Sequence, residues 1–423
     1  MIVRLQFEGI RCFSEAQDVV VRPLTLLVGE NSSGKSTFLA LCQIASSITH
    51  GFAQDLPFNE PPFLLGAYDQ IASYRGVRAG SAKSFSIAVS VDQDARGGSI
   101  SAEFVSRDSQ PSVRVLRVMA GKSIWQVTLN GSPNASLVIK GDRGKHEAII
   151  PSILHWDLIQ ESLKSLITVE EFKGLERLFS ESDWRALSTT PRLVRQGFGQ
   201  TTYALAPIRT SPRRTYDPVS AEPNPEGSHV PMQLALLSRA ATKAQWATLR
   251  TAMDQFGSKS GLFEHIEVIR KGNKESDPFQ IGVKSGGPTF NLVDVGYGVS
   301  QALPILVDIL QRPAANEVFL LQQPEVHLHP RAQAEMGSFF ARLTSKNRRF
   351  VIETHSDHLV DRVRMEVRHK NLRPDDVSLL YFERTKHGAT IHHLELDKDG
   401  GIANPPAGYR KFFLNEERDL LGV

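Results

Sequence analysis

A glycine-rich segment close to the N-terminus carries the clearest chemistry in this sequence. Residues 29–37 have the order Gly-Glu-Asn-Ser-Ser-Gly-Lys-Ser-Thr. The two glycines allow a tight turn in which successive backbone N–H groups point inward and bind an anion. The lysine adds a positive charge, and the serine after it offers a hydroxyl ligand for a divalent cation. These residue types at this spacing predict a phosphate-binding loop, or P-loop.

The elements on either side of the P-loop support this interpretation. Residues 24–28 form a short apolar run typical of a buried parallel strand, and residues 35–48 have the spacing of an amphipathic helix. The alternative is a chance match to a degenerate motif, and the strand–loop–helix context argues against it. We therefore predict ATP and Mg²⁺ as cofactors, with Ser36 as a metal ligand. The predicted nucleotide-binding residues of the loop are Gly29, Glu30, Asn31, Ser32, Ser33, Gly34, Lys35, Ser36 and Thr37.

A second glycine-rich segment lies at residues 294–301, directly before a helical run at 302–310. A helix N-terminus attracts anions because its first N–H groups are unpaired and the helix dipole is positive there. Taken alone, the segment also fits a simple helix cap. The residues concerned are Gly296, Gly298, Ser300 and Gln301.

Two short apolar strands in the last third of the chain end in polar residues. Residues 318–321 lead into Gln322-Gln323-Pro324-Glu325, and residues 350–352 lead into Glu-Thr-His-Ser at 353–356. The first strand has the position of a Walker B segment, which ordinarily ends in Asp-Glu. Glutamine cannot accept a proton from water, so ordinary general-base catalysis is in question. Gln323 can still orient an attacking water, and Glu325 is the nearest carboxylate, while Gln322 occupies the magnesium position.

The paired glutamines leave three alternatives open. The chain hydrolyses ATP slowly and uses it mainly as a dimer clamp, it is a glutamine-substituted form of an active ATPase, or it only binds nucleotide. We favour slow or partner-regulated hydrolysis, with Gln323 and Glu325 as catalytic residues.

In their order along the chain, these segments resemble the ABC-type ATPases of the SMC, RecF and OLD group, over residues 1–60 and 290–365. The resemblance implies that the signature segment around Ser300 reaches the γ-phosphate held by a partner copy. It also implies that His355 is a catalytic residue that senses this phosphate, and that residues 327–329 lie at the dimer interface. Two further positions follow: Arg11 as a nucleotide-binding arginine, with an exposed turn residue as the alternative, and Gln70 as a Q-loop metal ligand.

A loop rich in proline and arginine, residues 206–231, is long for a passive connection. Its two ends are similar to segments of compact bacterial AAA ATPases, which often stand beside an effector gene in prophage or defence operons. Its arginines either brace the loop through carboxylates or contact nucleotide or nucleic acid; these are Arg209, Arg213 and Arg214.

The pattern along the chain predicts an α/β fold, an ABC-type ATPase head with a mixed sheet, an antiparallel meander and a helical insertion. Short strands at about 85–140 form the meander, and residues 151–187 and 231–257 have helical patterns. We predict five parts: an N-terminal lobe at 1–80, the meander at 81–150, the helical insertion at 151–265, a C-terminal lobe at 266–370 and a small module at 371–423.

Composition excludes few classes but fits a globular protein. The 423 residues are 41% hydrophobic with a net charge of +3, and only two cysteines occur, without a pairing pattern. Neither a signal-peptide pattern nor an apolar run long enough to span a bilayer is present in the sequence. We therefore expect a cytoplasmic protein without a membrane partner.

Together these features predict an ATP-dependent switch. Two copies, or a higher homo-oligomer, enclose ATP and control an effector partner, nuclease-like or toxin-like, in bacterial anti-phage defence. No nuclease motif is visible in the chain, so any cutting would come from that partner. The alternatives are a RecF-like or OLD-like ATPase that binds DNA directly in repair, and a nucleotide-locked scaffold without hydrolysis.

Overall fold

The chain divides into two compact units, each made of separate stretches of sequence. The first comprises Met1–Arg22, Gly29–Thr202 and Leu380–His393, and the second Pro23–Val28, Tyr203–Leu379 and Leu394–Val423. The structure, a computed structural model, describes residues 1–423 except 51–55, 75, 77–79, 93–96, 130–133, 152–174, 200, 219–221, 241–242, 313–316, 345, 347, 387 and 410–423. Most of the helix predicted at 151–187 therefore lies outside the described residues.

An eight-stranded antiparallel sheet dominates the first unit, in the order β11-β10-β9-β8-β7-β6-β1-β2. Its strands alternate buried apolar and half-buried polar side chains, which places one face on the core. The strands are β1 (Ile2–Glu8), β2 (Gln17–Val21), β6 (Ser84–Asp92), β7 (Gly98–Arg107), β8 (Gln110–Ala120), β9 (Ser123–Leu129), β10 (Asn134–Lys140) and β11 (Lys145–Pro151).

Helices pack on this sheet, and the first of them follows the P-loop. Helix α1 (Lys35–His50) follows the P-loop, α2 (Tyr68–Ile71) is a single turn, and α3 (Glu181–Phe198) packs on β7 and β8. The hydroxyl of Ser180 accepts a hydrogen bond from Asp183 N and caps α3. The unit also contains the short hairpin β4 (Asn59–Glu60) and β5 (Phe63–Leu64).

Three parallel strands organise the second unit: β3 (Leu24–Gly29), β16 (Glu317–Gln322) and β17 (Arg349–Glu353). Strand β17 lies between the other two, and its register places Glu353 beside Gln322 on one side and beside Leu27 on the other. Their apolar residues are buried on both faces, as parallel strands require. All three strands therefore end at one edge of the sheet, where binding residues of α/β proteins collect.

The rest of the second unit surrounds these strands. Its helices are α4 (Val230–Ala240), α5 (Lys243–Ser260), α6 (Tyr297–Gln311), α7 (Pro330–Thr344) and α8 (Asp357–Arg368). Its other strands are β12 (Thr201–Leu205), β13 (His265–Arg270), β14 (Phe279–Lys284) and β15 (Thr289–Asn291); β18 (Val377–Thr385) begins here, and β19 (Gly388–Leu394) follows it.

The α/β fold and the antiparallel meander predicted from the sequence are confirmed. The meander includes one strand more than predicted, β11. The helix predicted at 231–257 is two helices, α4 and α5. Among the described residues, no helix is long and apolar enough to cross a membrane. The division into five parts remains a prediction.

Candidate nucleotide-binding site

The backbone of the P-loop turns through alternating left-handed residues. Strand β3 ends at Gly29 and α1 begins at Lys35. Between them, φ is +136° at Gly29, +59° at Ser32 and +100° at Gly34. Positive φ values at Ser32 and Gly34, on either side of Ser33, are the backbone pattern that lets successive N–H groups bind phosphate oxygens.

Gly34 is required by space as well as by conformation. A Cβ at this position would lie 2.5 Å from Phe13 Cζ and 2.7 Å from Cys12 Sγ. The Phe13 ring is itself held against the rings of Phe7 and Phe382 in the buried core. Neither side of this contact can therefore move easily.

We predict that Gly34→Ala lowers the free energy of unfolding by about 2 kcal/mol or more, since left-handed strain alone costs roughly 1–2 kcal/mol and the clash adds to it. Gly80→Ala is the matched control, because Gly80 also has a positive φ but no atom would lie within 4 Å of its Cβ. Denaturant unfolding of both variants measures the difference. Equal losses at the two positions would show that the Phe13 contact is unimportant.

The Lys35 side chain lies along the loop backbone. Only 3% of Lys35 is exposed, and its Nζ donates to Gly29 O at 3.0 Å and to Glu30 O at 2.6 Å. The Ser33 hydroxyl also donates to Glu30 O, at 2.7 Å. The ammonium group is therefore held inside the loop, while Asn31, Ser32 and Ser36 are exposed at its surface. An exposed hydroxyl at the start of α1 fits the ligand that Mg²⁺–ATP needs from a P-loop.

Arg11 lies beside this loop, in the left-handed conformation with φ of +46°. Its guanidinium donates to Thr37 Oγ1 at 3.4 Å and to Leu65 O at 3.0 Å. Burial lowers the pKa of Arg11. Gln70 has a local contact instead: its Oε1 accepts a hydrogen bond from Ala67 N at the start of α2. The nucleotide role of Arg11 and the metal role of Gln70 remain predictions.

In the second unit, the chain turns sharply after β16. Gln323 adopts a left-handed conformation with φ of +44°, and its N–H donates to Glu353 O at 2.8 Å. Glu353 is buried and lies directly beside Gln322 in the sheet register. The sequence analysis did not single out this carboxylate, although it ends the second apolar strand. Only the pairing of β16 with β17 places it next to Gln322.

Glu325 and His355 are brought together at the same edge of the sheet. Glu325 is 6% exposed, and its Oε1 accepts a hydrogen bond from His355 N at 2.7 Å. Burial raises the pKa of Glu325, while this bond, the Thr354 hydroxyl and the Arg209 charge oppose the shift. The Thr354 N–H in turn donates to Leu27 O, two residues before the P-loop begins.

The signature segment is exposed only at its beginning. Gly296 caps α6, and Gly296 and Tyr297 are exposed, but Gly298 and Gln301 are buried and Ser300 is only 5% exposed. The Ser300 hydroxyl donates to Tyr297 O at 2.7 Å within the same helical turn. The Ser300 hydroxyl therefore forms its hydrogen bond within its own helix. Its contact with the phosphate of a partner copy remains a prediction.

Exposed apolar side chains surround this beginning of α6. Phe290, Val293 and Tyr297 are each exposed by more than a third, and the Tyr297 ring packs edge-on against His327 at 5.0 Å. We call these four residues the signature patch. At its border, Arg214 makes a bidentate ion pair with Asp294, at 2.6 and 2.9 Å.

A buried parallel strand that leads through a glycine-rich loop into a helix, with the loop lysine held inside the loop, defines a P-loop nucleotide-binding protein. Residues 123–361 match the model of the family described as an AAA domain, putative AbiEii toxin, type IV toxin–antitoxin system. The match covers more than half of the chain, and the chain belongs to this family of nucleotide-binding ATPases. The P-loop lies outside the matched range, so its assignment rests on its own sequence and geometry.

Three solved structures of SMC heads are similar to the chain at low identity. A head bound to the C-winged helix domain of ScpA is 12% identical, with a TM-score of 0.46, over 94% of this chain and 98% of that one. The head from Thermotoga maritima is 12% identical, with a TM-score of 0.40, over 93% and 99%. A head with an extended coiled coil from Pyrococcus furiosus, bound to the C-terminal domain of ScpA, is 12% identical, with a TM-score of 0.46, over 93% and 96%. No curated protein sequence matches this chain.

Proposed function

We propose that this protein is an ATP-dependent conformational switch. The observation that carries the proposal is the P-loop, in which alternating left-handed residues surround a buried Lys35 whose Nζ contacts the backbone of the same loop. A loop preformed in this way binds the β- and γ-phosphates of ATP through N–H groups and one fixed positive charge. Mg²⁺ would be held by Ser36 and would neutralise the charge of the transferring phosphate.

Hydrolysis is proposed to be slow and to depend on the carboxylates that follow the paired glutamines. Gln322 and Gln323 cannot take a proton, but Glu325 and Glu353 lie at the ends of the same parallel strands. Glu325 is the better candidate for a general base because burial raises its pKa toward the working range of such a group. Gln323 would orient the attacking water, and His355, hydrogen-bonded through its N–H to Glu325, would respond to the γ-phosphate.

Dimer formation is proposed to use the signature patch. Its exposed apolar residues lie around the N-terminus of α6, whose first N–H groups can meet an anion. Apolar surface of this kind is stabilised by burial against a second copy. The phosphate of one copy and the patch of the other would thus close the pair.

The output of the switch is proposed to pass to an effector protein, toxin-like or nuclease-like, in bacterial defence. The family description, an AAA domain and putative AbiEii toxin of a type IV toxin–antitoxin system, supports a role within such a system, and the effector partner is our own proposal. Light scattering with and without ATP and Mg²⁺ tests the switch, and a twofold rise in molar mass with ATP is expected. An unchanged mass would contradict closure around ATP, and strongly salt-dependent DNA binding by the isolated chain would favour direct action on DNA.

We expect Val293→Asp to abolish the ATP-dependent rise in mass while ATP affinity stays within about twofold. A charge buried at an interface without a partner costs several kcal/mol, enough to weaken association roughly 100-fold or more. Met365→Asp is the matched control, because Met365 is similarly exposed but lies on α8, outside the signature patch. Dimerisation of the Val293 variant at the wild-type concentration would exclude the patch as the interface.

A further inference from the structure

Arg209 is a buried arginine that has no role in the nucleotide binding and hydrolysis proposed above. It is 1% exposed and is the largest of the fully buried side chains among the described residues. A buried guanidinium is costly unless hydrogen bonds and an opposite charge compensate it. Its partners therefore show what the fold gains from placing it there.

Those partners are the end of the Walker B strand and Glu325. Arg209 Nη2 donates to Gln322 O and to Gln323 O, each at 3.4 Å, which are the last carbonyl of β16 and that of the left-handed residue after it. Burial lowers the pKa of Arg209 to about 10, and attraction to the Glu325 charge opposes this shift. One cation thus contacts the turn at residues 322–325 and compensates the carboxylate at its end.

The segment that delivers Arg209 is itself fixed. Ala206 N donates to Pro225 O, and Thr210 N donates to Glu226 O. One backbone hydrogen bond on each side of Arg209 therefore joins the beginning of the 206–231 loop to its later part.

Strand β12, directly before the loop, and the last part of the loop both contact the signature helix α6. Tyr203 Oη donates to Asp308 Oδ2 at 2.9 Å, and His229 Nε2 lies 2.9 Å from Asp308 Oδ1. Because His229 Nδ1 accepts a hydrogen bond from Asn224 N, the ring proton is on Nε2, which donates a hydrogen bond to the Asp308 carboxylate. His229 and Asp308 are both buried, so the last part of the loop is held against α6 at His229.

We propose that Arg209 is a positioning residue for ATP hydrolysis: by holding the carbonyls of Gln322 and Gln323 and the charge of Glu325, it fixes the turn that presents the water-orienting and proton-accepting groups. This inference rests on the proposed ATPase function. It assigns the 206–231 loop a role in turnover rather than in nucleotide binding. Since the loop also contacts α6, it connects the signature helix to the turn at residues 322–325.

The test compares Arg209→Met and Arg209→Lys with the wild type. We expect Arg209→Met to lower kcat roughly 100-fold, the cost of a displacement of about 1 Å in a catalytic group, while KM and the affinity for an ATP analogue change less than threefold. Arg209→Lys keeps the positive charge but carries it on a shorter and more flexible side chain than the one that places Nη2 at both carbonyls, so we expect it to recover part of the rate. Arg368→Met, an exposed arginine in the last turn of α8 and outside these contacts, is expected to match the wild type.

Loss of folding in Arg209→Met is addressed by Arg209→Lys, which keeps a buried positive charge near Glu325. A folded Arg209→Lys whose kcat is below that of the wild type, with unchanged affinity for the ATP analogue, supports the positioning role. Normal kcat in folded Arg209→Met, or equal losses in kcat and in ATP affinity, would overturn it. Absence of ATP binding and turnover in the wild type would instead refute the proposed ATPase function, so the two failures are distinguishable.

Discussion

Lys35→Ala is expected to lower the affinity for ATP roughly 10- to 200-fold, because a hydrogen bond to a charged group contributes about 1.5–3 kcal/mol. Lys35 Nζ is the one side-chain cation that the described residues place on the backbone of the P-loop, at 3.0 Å from Gly29 O. The variant removes this charge without changing the glycines that shape the loop. Equilibrium titration with a fluorescent ATP analogue, in the presence of Mg²⁺, measures the loss.

Lys122→Ala serves as the matched control, since Lys122 is an exposed lysine in a turn of the meander. It should bind the analogue as the wild type does. We also expect Lys35→Ala to remain monomeric at ATP concentrations that double the mass of the wild type. Unchanged affinity and assembly in Lys35→Ala would refute the central proposal, because Lys35 is the positive charge that the proposed P-loop offers to the phosphates.

The second large effect concerns Glu325. We expect Glu325→Gln to lower kcat about 100- to 10,000-fold, the usual contribution of a general base, while ATP binding persists. The amide oxygen of glutamine can still accept the hydrogen bond from His355 N, so the substitution removes the proton acceptor and retains the bond. Phosphate release at saturating ATP measures the change.

The pH dependence of turnover provides an independent readout. Burial raises the pKa of Glu325 above that of an ordinary glutamate. A base must be ionised to act, so the rate should fall as pH decreases through this raised pKa, at a higher pH than an exposed glutamate would give. Glu325→Gln should lose this acidic limb together with most of the rate.

Glu335→Gln is the appropriate comparison, because Glu335 is also a buried carboxylate of the second unit but pairs with Arg342 on α7. It should retain wild-type kcat and the acidic limb. A converse substitution, Gln323→Glu, should raise kcat if water activation limits the rate. Normal turnover in Glu325→Gln would show that the carboxylate only holds the backbone at His355 in place, and would leave Glu353 as the carboxylate to test next.

Much of the local structure follows from the sequence alone. The P-loop can be predicted from the sequence because its glycines, Lys35 and Ser36 lie within nine consecutive residues. The φ values at residues 29, 32 and 34 are properties of that short segment. The meander strands are readable because a two-residue alternation places one side chain in the core and the next outside. Both patterns are local, so they do not depend on which other segments lie nearby.

Tertiary structure decided the parts of the site that arise between distant segments. Arg209 and Gln322 are 113 residues apart in sequence, and only the closed 206–231 loop brings the guanidinium to that carbonyl. Glu353 stands beside Gln322 because β17 pairs with β16 in one register. Burial of Ser300, likewise, depends on what packs around α6 and not on the motif.

The sequence by itself therefore determined that this protein has a P-loop and an α/β fold, because residue type and spacing dictate backbone turns and strand alternation. The sequence also named Glu325, but the place of Glu353 beside Gln322 and the placement of Arg209 near Glu325 were decided only by the tertiary structure. The physical reason is that strand register and burial set the charge and solvation of each group, and neither is encoded in any single segment.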